Sequence, residues 1–332
     1  MTQLSRGSGN VEQKVVDNRK VFAFEIGLRL IRAAAVAFWV TVIAFLLMRL
    51  APGDPARNSL GIEATEQEVA ILRKQLGLDR PLLEQFFNFF SGLLRGDLGT
   101  SLTYNREVSE IISTAMPTSL WLVLLNSIIV WVIVIPLALF VATSKSVIVA
   151  YVFRSSTAIS IALPNFFVAL LLILVFSIRY NWAPLLGYTP DFPGNLRYLW
   201  LPAVVMAISG SIAIMSRILA SSISDTLREE YVETGIFRGI SRFRFFFYYL
   251  LKPSLAPTVA LAAYGLGTAI GTTAIIESIF AIPGIGTELL TAVFSRDYPT
   301  VQGLAFIFGL MVVFISFVGD LLAYWLDRRV KL

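Results

Sequence analysis

A chain of 332 residues that is 56% hydrophobic and 15% charged, with a mean hydropathy of +0.74, is too apolar for a soluble domain of that length. Cysteine and histidine are both absent, which excludes disulfides, thiolate chemistry, imidazole bases and the common zinc sites and leaves few enzyme classes open. The net charge of +5 reads as membrane orientation rather than nucleic-acid affinity.

Charge-poor gaps of roughly 20 residues, the length a helix needs to cross about 30 Å of hydrocarbon, predict an all-α integral membrane protein with six transmembrane helices. They run Ala33–Met48, Ser119–Thr143, Ser155–Ile178, Tyr198–Ser216, Ser254–Ile276 and Tyr298–Gly319. The first is short unless Arg32 and Arg49 snorkel from its two ends. It is followed by Arg49, Leu50 and Ala51 rather than a small-x-small site, so it is expected to be an uncleaved span. With the N-terminus inside, the inner segments hold 17 of the 27 basic residues, which predicts both termini in the cytoplasm.

In chain order, residues 1–30 are expected to be a cytoplasmic tail that orders toward Phe22, residues 31–50 the first span, and residues 51–118 an insertion outside the membrane. Residues 119–332 are expected to form the transmembrane core, with a cytoplasmic loop at 221–253. Within the insertion, Thr65 and Glu68 have capping-box spacing, Val69, Leu72 and Leu76 follow at helical intervals, and Gly77 stands where a terminating glycine belongs. The run LLEQFFNFFSGLL from Leu82 to Leu94 is apolar on nearly every face and too short to span, which suits a helix in the outer interface or against the bundle. PGDP at Pro52–Pro55 and RGDLGTS at Arg95–Ser101 read as Gly/Pro turns.

The second span carries Asn126 and Pro136, and the third carries Pro164 and Asn165. Amides and prolines inside a bundle line a path or bond to a neighbouring helix. The fifth span contains GLGTAIGTT, whose Gly267 and Gly271 form a small-xxx-small packing pair and whose Thr268 and Thr272 face either a neighbour or a lumen. Glu277 and Asp320 sit at the ends of apolar runs, where a charge is either boundary chemistry or an ion relay, with Arg328 or Arg329 within reach of Asp320.

Leu227–Lys252 is the one long basic segment of the second half. Asp225–Gly239 has helix-compatible spacing with Ser224 or Asp225 as a cap, and Gly235 and Gly239, four residues apart, are expected on one face of a short helix. Two glycines in a helix need a packing or turn reason, because each costs about 1 kcal/mol relative to alanine. The tail FRFFFYYLL, Phe243–Leu251, is expected to return to the membrane interface with Arg242, Arg244 and Lys252 toward headgroups.

Glu233-Thr234-Gly235-x3-Gly239, with Leu251 twelve residues on, resembles the EAA loop of ABC-importer membrane subunits, Glu-Ala-Ala-x3-Gly followed by Ile-x-Leu-Pro. It departs from that pattern at Thr234, Gly235, Tyr249 and Lys252, with the proline one place late at Pro253. PGDP, GDLGTS, ESIFAIPGIG (Glu277–Gly286) and RDYPTVQG (Arg296–Gly303) extend the likeness to the first permease subunit of dipeptide, oligopeptide and nickel importers, over roughly Leu30 to Arg328.

The resemblance implies a type I importer permease fold in a bacterial or archaeal cytoplasmic membrane. It also implies pairing with a second permease, coupling through Glu233, Thr234, Gly235 and Gly239 to two ABC ATPase subunits, and delivery by an extracytoplasmic substrate-binding protein. Membrane lipid is the remaining partner and nucleic acid is not one. No cofactor is expected on this chain: it has no G-x4-G-K-[ST] phosphate loop, so ATP and magnesium belong to the ATPase subunits. Asn126, Asn165, Thr268 and Thr272 are the candidate path residues; no metal or catalytic residue is expected. A peptide is the expected cargo, with nickel or another small solute on the same fold as the alternative. A secondary transporter would be expected to show repeated halves or buried ion-coupling charges, and an intramembrane enzyme a nucleophile with its base.

Overall fold

In the computed structural model, residues 18–50, 53–61 and 63–326 are described. The predicted tail residues 1–17, Pro52 of the PGDP turn, and Arg328 and Arg329 lie outside them, as do the side chains of Glu233 and Asp320. Among the described residues there is no strand; the one β-bridge joins Thr100 to Glu107.

Helix α1, Asn18–Leu50, is unbroken through Arg32, so the expected boundary between tail and first span falls inside a helix. Three short helices follow in the insertion: α2 Pro55–Leu60, α3 Glu66–Gln75 and α4 Leu82–Leu94. The capping box at Thr65 and Glu68 is present, and its hydrogen bonds from the Thr65 backbone and hydroxyl hold the Glu68 carboxyl below the usual range. Helix α4 lies against α1 through aromatic rings: Phe86 and Phe90 meet Phe38 edge-on at 6.2 and 5.6 Å, and Phe86 meets Phe45 at 5.3 Å. The Phe-rich run is thus packed on the bundle.

Helix α5, Val108–Thr143, starts well before the expected Ser119. The expected third span is two helices, α6 Val147–Ala162 and α7 Asn165–Leu172, the second continuing in a π-helical turn to Arg179, with a 99° bend between them. The cause is Pro164, which lacks an N–H and holds Leu163 in an extended conformation (φ −79°, ψ 124°). The fourth span joins α8, Leu196–Met206, to α9, Ile212–Thr226, across a break where Gly210 adopts φ 102°. The freed carbonyl of Ile208 accepts from the Ser160 hydroxyl of α6, so the backbone is satisfied where the helix gives way.

Helix α9 runs through Ser224 and Asp225 to Thr226, so neither residue caps the following helix, contrary to expectation. Helix α10 is Glu230–Phe237. A turn of helix, α11 Arg242–Arg244, leads through a π-helical Phe245–Leu251 into α12, Lys252–Ile279, so the aromatic tail is the root of the fifth span. Helix α13, Ile285–Ser295, was not foreseen, and α14 is Tyr298–Leu326.

Among the described residues four helical segments are long and apolar enough to cross a membrane, five with the bent α6–α7 pair, and the apolar part of α1, Ala34–Leu50, is a shorter one. This is consistent with the six expected. The most extensive helix pair is α12 with α14. Their approach uses the small residues: a side chain on Gly267 would meet Val312 at 3.2 Å, and one on Gly319 would overlap Ala263. Gly271 faces open space, so only one half of the expected glycine pair is a packing position.

The turn motifs converge at one end of the bundle. Glu277 is fully buried; Ser119 donates to its Oε1 at 2.5 Å, the Thr287 amide to its Oε2 at 3.0 Å, and Gly286 and Thr273 also hydrogen-bond to it. A Cβ on Gly284 would collide with that carboxylate and one on Gly286 with the backbone of Ala274, which is why Pro-Gly-Ile-Gly follows the helix. Asp297, 1% exposed, accepts from the Ser101 hydroxyl and from the amides of Leu102, Thr103 and Thr300. It thereby ties the GDLGTS turn to the α13–α14 corner. The Arg296 guanidinium occupies the place a Cβ on Gly53 would take.

Candidate functional site

Two regions carry the expected site residues. The first lies inside the bundle. Asn126 is on α5, Asn165 opens α7 directly after the Pro164 bend, and Thr268 and Thr272 are one turn apart on α12. All four line a single cavity of about 260 Å³, together with Ser209, Gly210 and Ser211 from the break in the fourth span. No charged side chain lines it.

Asn126 is 5% exposed and its Oδ1 has no hydrogen-bond partner. A dry orphan acceptor costs about 1–3 kcal/mol, so a donor arriving there, from water or a solute, is stabilised. Thr268 and Thr272 hydroxyls donate to the carbonyls of Gly265 and Ala269 at 2.9 Å each and keep their lone pairs for a visitor. The wall therefore offers amide and hydroxyl dipoles without a fixed charge. That suits transient contact with many polar solutes, because passage requires that a solute leave as readily as it enters. Ser209–Ser211 and Tyr264 are wall residues missed in the sequence; the Ser-Gly-Ser run inside an apolar span was the available signal, since glycine is a poor helix former.

The second region is the loop around α10. Val232 is buried at 1% exposure and the Tyr231 hydroxyl donates to the Tyr249 carbonyl at 3.4 Å, which seats α10 on the aromatic root of α12. Gly235 is buried there; a side chain on it would touch Ile240 and Tyr249 at 3.5 and 3.8 Å. Thr234 is exposed. Gly239 lies beyond the end of α10 in a left-handed turn, φ 68°, with the Ile240 amide reaching back to the Gly235 carbonyl at 3.4 Å. The two glycines therefore do not share a helix face as expected. The helix ends at Phe237, and the second glycine supplies the turn. Gly239 is exposed, and a Cβ built on it would meet no atom within 4 Å among the described residues.

Glu277, the other candidate for charge chemistry, has its carboxylate oxygens taken up by donors and two glycines closed around it. It does not line the cavity between α5, α7 and α12.

Comparison with known proteins covers most of the chain in two parts. Residues 134–332 match the family described as binding-protein-dependent transport system inner membrane component, and residues 22–123 match the N-terminal part of such components. A putative peptide permease protein of Brucella suis biovar 1 is 35% identical over 311 residues, covering 91% of this chain and 97% of that protein. A probable peptide ABC transporter permease protein of Sinorhizobium fredii is 32% identical over 306 residues, with 91% and 97% covered. The glutathione transport system permease protein of Escherichia coli O6:H1 is 33% identical over 304 residues, with 89% and 94% covered. The apolar helices, the polar cavity among them and these matches along nearly the whole chain lead to one assignment: the chain belongs to the inner membrane components of binding-protein-dependent transport systems, as a multi-pass permease subunit.

Proposed function

We propose that this permease carries peptides across the bacterial inner membrane as part of an ABC importer, through a path to which the cavity between α5, α7 and α12 contributes. The observation that carries the reading is the meeting of Asn126, Asn165, Thr268 and Thr272 on one uncharged wall beside a broken helix. A peptide presents amide donors and acceptors throughout, and this wall answers them in kind without selecting for side-chain charge. The relatives' names, peptide and glutathione permeases, point the same way.

In this proposal a second, related permease completes the path and an extracytoplasmic binding protein delivers the cargo. Two ABC ATPase subunits dock on the α10 loop, where Glu233, Thr234, Gly235 and Gly239 form the contact. The chain itself binds no cofactor; ATP and magnesium are held by the ATPase subunits, whose conformational cycle reaches the bundle because α10 sits on the root of α12. The test is uptake of a labelled di- or tripeptide library by cells expressing all subunits, with nickel as a parallel cargo. Peptide uptake lost in Asn126→Leu with normal membrane insertion supports the proposal. Nickel accumulation without peptide uptake would overturn the cargo, and robust ATP hydrolysis by the isolated chain would overturn the division of labour.

A further inference from the structure

At the outer end of α1 a second chamber, about 360 Å³ in volume, lies between α1, α4 and the start of α14. Its chemistry differs from that of the path. The Arg49 guanidinium stacks over Phe45 and Tyr298, 4.1 and 5.1 Å from the ring centroids, and its Nε donates to Gln85 Oε1 at 2.8 Å. Gln85 is itself fixed by donating to the carbonyls of Leu78 and Arg80 at 3.3 and 2.7 Å. The guanidinium is therefore clamped in plane, yet its Nη1 is shielded from solvent and has no hydrogen-bond partner. Gln302, 4% exposed, lines the same chamber and its Nε2 is likewise buried without an acceptor.

Both orphans are donors, and no ion pair to Arg49 is found among the described residues. Of the other charged groups on the wall, Arg80 pairs with Glu84 at 3.0 Å, and the Asp97 carboxylate accepts the Gly99 amide at 2.8 Å through one oxygen and keeps its charge. A half-buried cation with a free N–H beside a second free N–H is the complement of an oxyanion, since charge-assisted bonds to guanidinium are about twice as strong as neutral ones. An apolar or cationic guest would leave both donors unpaired, at about 1–3 kcal/mol each.

We propose that this chamber binds the phosphate group of an anionic phospholipid of the outer leaflet, through Arg49 and Gln302. The same chemistry would accept free phosphate. The lipid is favoured because two of the helices that wall the chamber are exposed in this chain on their apolar sides: Leu47 and Leu50 of α1 are 61% and 78% exposed, and Leu83 and Phe87 of α4 are 73% and 65% exposed. Acyl chains can lie along these faces while the headgroup enters between them. Such a lipid would link the insertion to the first span independently of cargo.

The test is native mass spectrometry of the full-length chain in detergent, titrated with phosphatidylglycerol, phosphatidylcholine or inorganic phosphate. Wild type should retain one phosphatidylglycerol at least tenfold more tightly than phosphatidylcholine, and both Arg49→Gln and Gln302→Leu should erase about tenfold of that preference. Displacement of the lipid by millimolar phosphate would support an oxyanion site that is also filled from solution; no displacement would support the lipid alone. Equal retention of the two lipids by wild type overturns the proposal. Because Arg49 also packs on aromatic rings, a misfolded Arg49→Gln leaves the decision to Gln302→Leu: unchanged phosphatidylglycerol preference in that folded variant overturns it as well.

Discussion

The knot of turns around Glu277 and Asp297 and the α10 loop both carry dense motifs, yet the chain uses them in opposite ways. In the knot the acids and several glycines are consumed internally: Glu277 and Asp297 are saturated with donors, and Gly53, Gly284 and Gly286 are glycine because Arg296, Glu277 and Ala274 occupy the space beside them. In the loop, Thr234 and Gly239 are exposed, and among the described residues nothing fills the space beside Gly239. The difference teaches how to sort motif residues. One that is satisfied within the chain belongs to the fold, and one that is left open belongs to an interface.

The sharpest way to break this comparison is Glu277→Ala. It strands the Ser119 hydroxyl and the amides that converge on the carboxylate, so a loss of about 3–5 kcal/mol is expected, from several buried donors left unpaired at about 1–3 kcal/mol each. The readout is the half-life of the monodisperse protein in detergent at fixed temperature, because unfolding of such a chain is governed by rate. If Glu277 instead relayed ions, the variant would keep wild-type stability while uptake vanished.

Gly286→Ala comes next. The added methyl would press on the backbone of Ala274 and on the Glu277 carboxylate, and overpacking of that kind costs about 1–3 kcal/mol. Gly271→Ala is its control within the membrane, since a Cβ there meets no atom within 4 Å; it should match wild type in thermal stability. Equal destabilisation by the two would mean that helix conformation rather than space decides these glycines.

Asp297→Asn should cost less, about 1–2 kcal/mol. The amide keeps one acceptor oxygen and presents an NH2 where Oδ2 now receives Ser101 and Thr103. Limited proteolysis of the insertion reports it: cleavage near Thr103 should rise while the core spans stay resistant. Unchanged protection of that turn would remove Asp297 from the knot.

How much of this was legible in the sequence follows from what each feature depends on. Helix positions depend on apolar run and punctuation, so the capping box at Thr65, the helix Leu82–Leu94 and the segments of high hydropathy were readable. The bend at Pro164 was visible only as a proline, because a proline in a membrane helix kinks or does not according to what re-satisfies the backbone. Helix α13 hid because its eleven residues, too few for a span, run from the end of ESIFAIPGIG to RDYPTVQG, stretches read only for their family likeness. Asn126, Asn165, Thr268 and Thr272 were named as polar positions inside spans, but their meeting in one cavity depends on helix rotation, which hydropathy does not encode. Gly239 was placed on a helix because its spacing from Gly235 is helical, and only backbone conformation shows the chain has already turned.

Gly239 has the smallest expected effect on stability and gives the finest test of the comparison. Its φ of 68° is a left-handed conformation that asparagine and aspartate tolerate best among residues with a side chain, so Gly239→Asn should cost at most about 1 kcal/mol. The substitution adds bulk into space that this chain leaves empty. If the turn alone required glycine, Gly239→Asn would transport nearly as wild type, and Gly239→Val, β-branched and ill-suited to positive φ, would fail through local unfolding. If an ATPase surface closes over this position, Gly239→Asn fails too, with insertion, thermal stability and proteolytic pattern unchanged and with loss of ATPase copurification. The decisive pair of measurements is uptake and ATPase pull-down for Gly239→Asn at matched membrane abundance. Full uptake with intact pull-down would return Gly239 to the fold and leave Thr234 as the outward-facing loop residue for a partner to read.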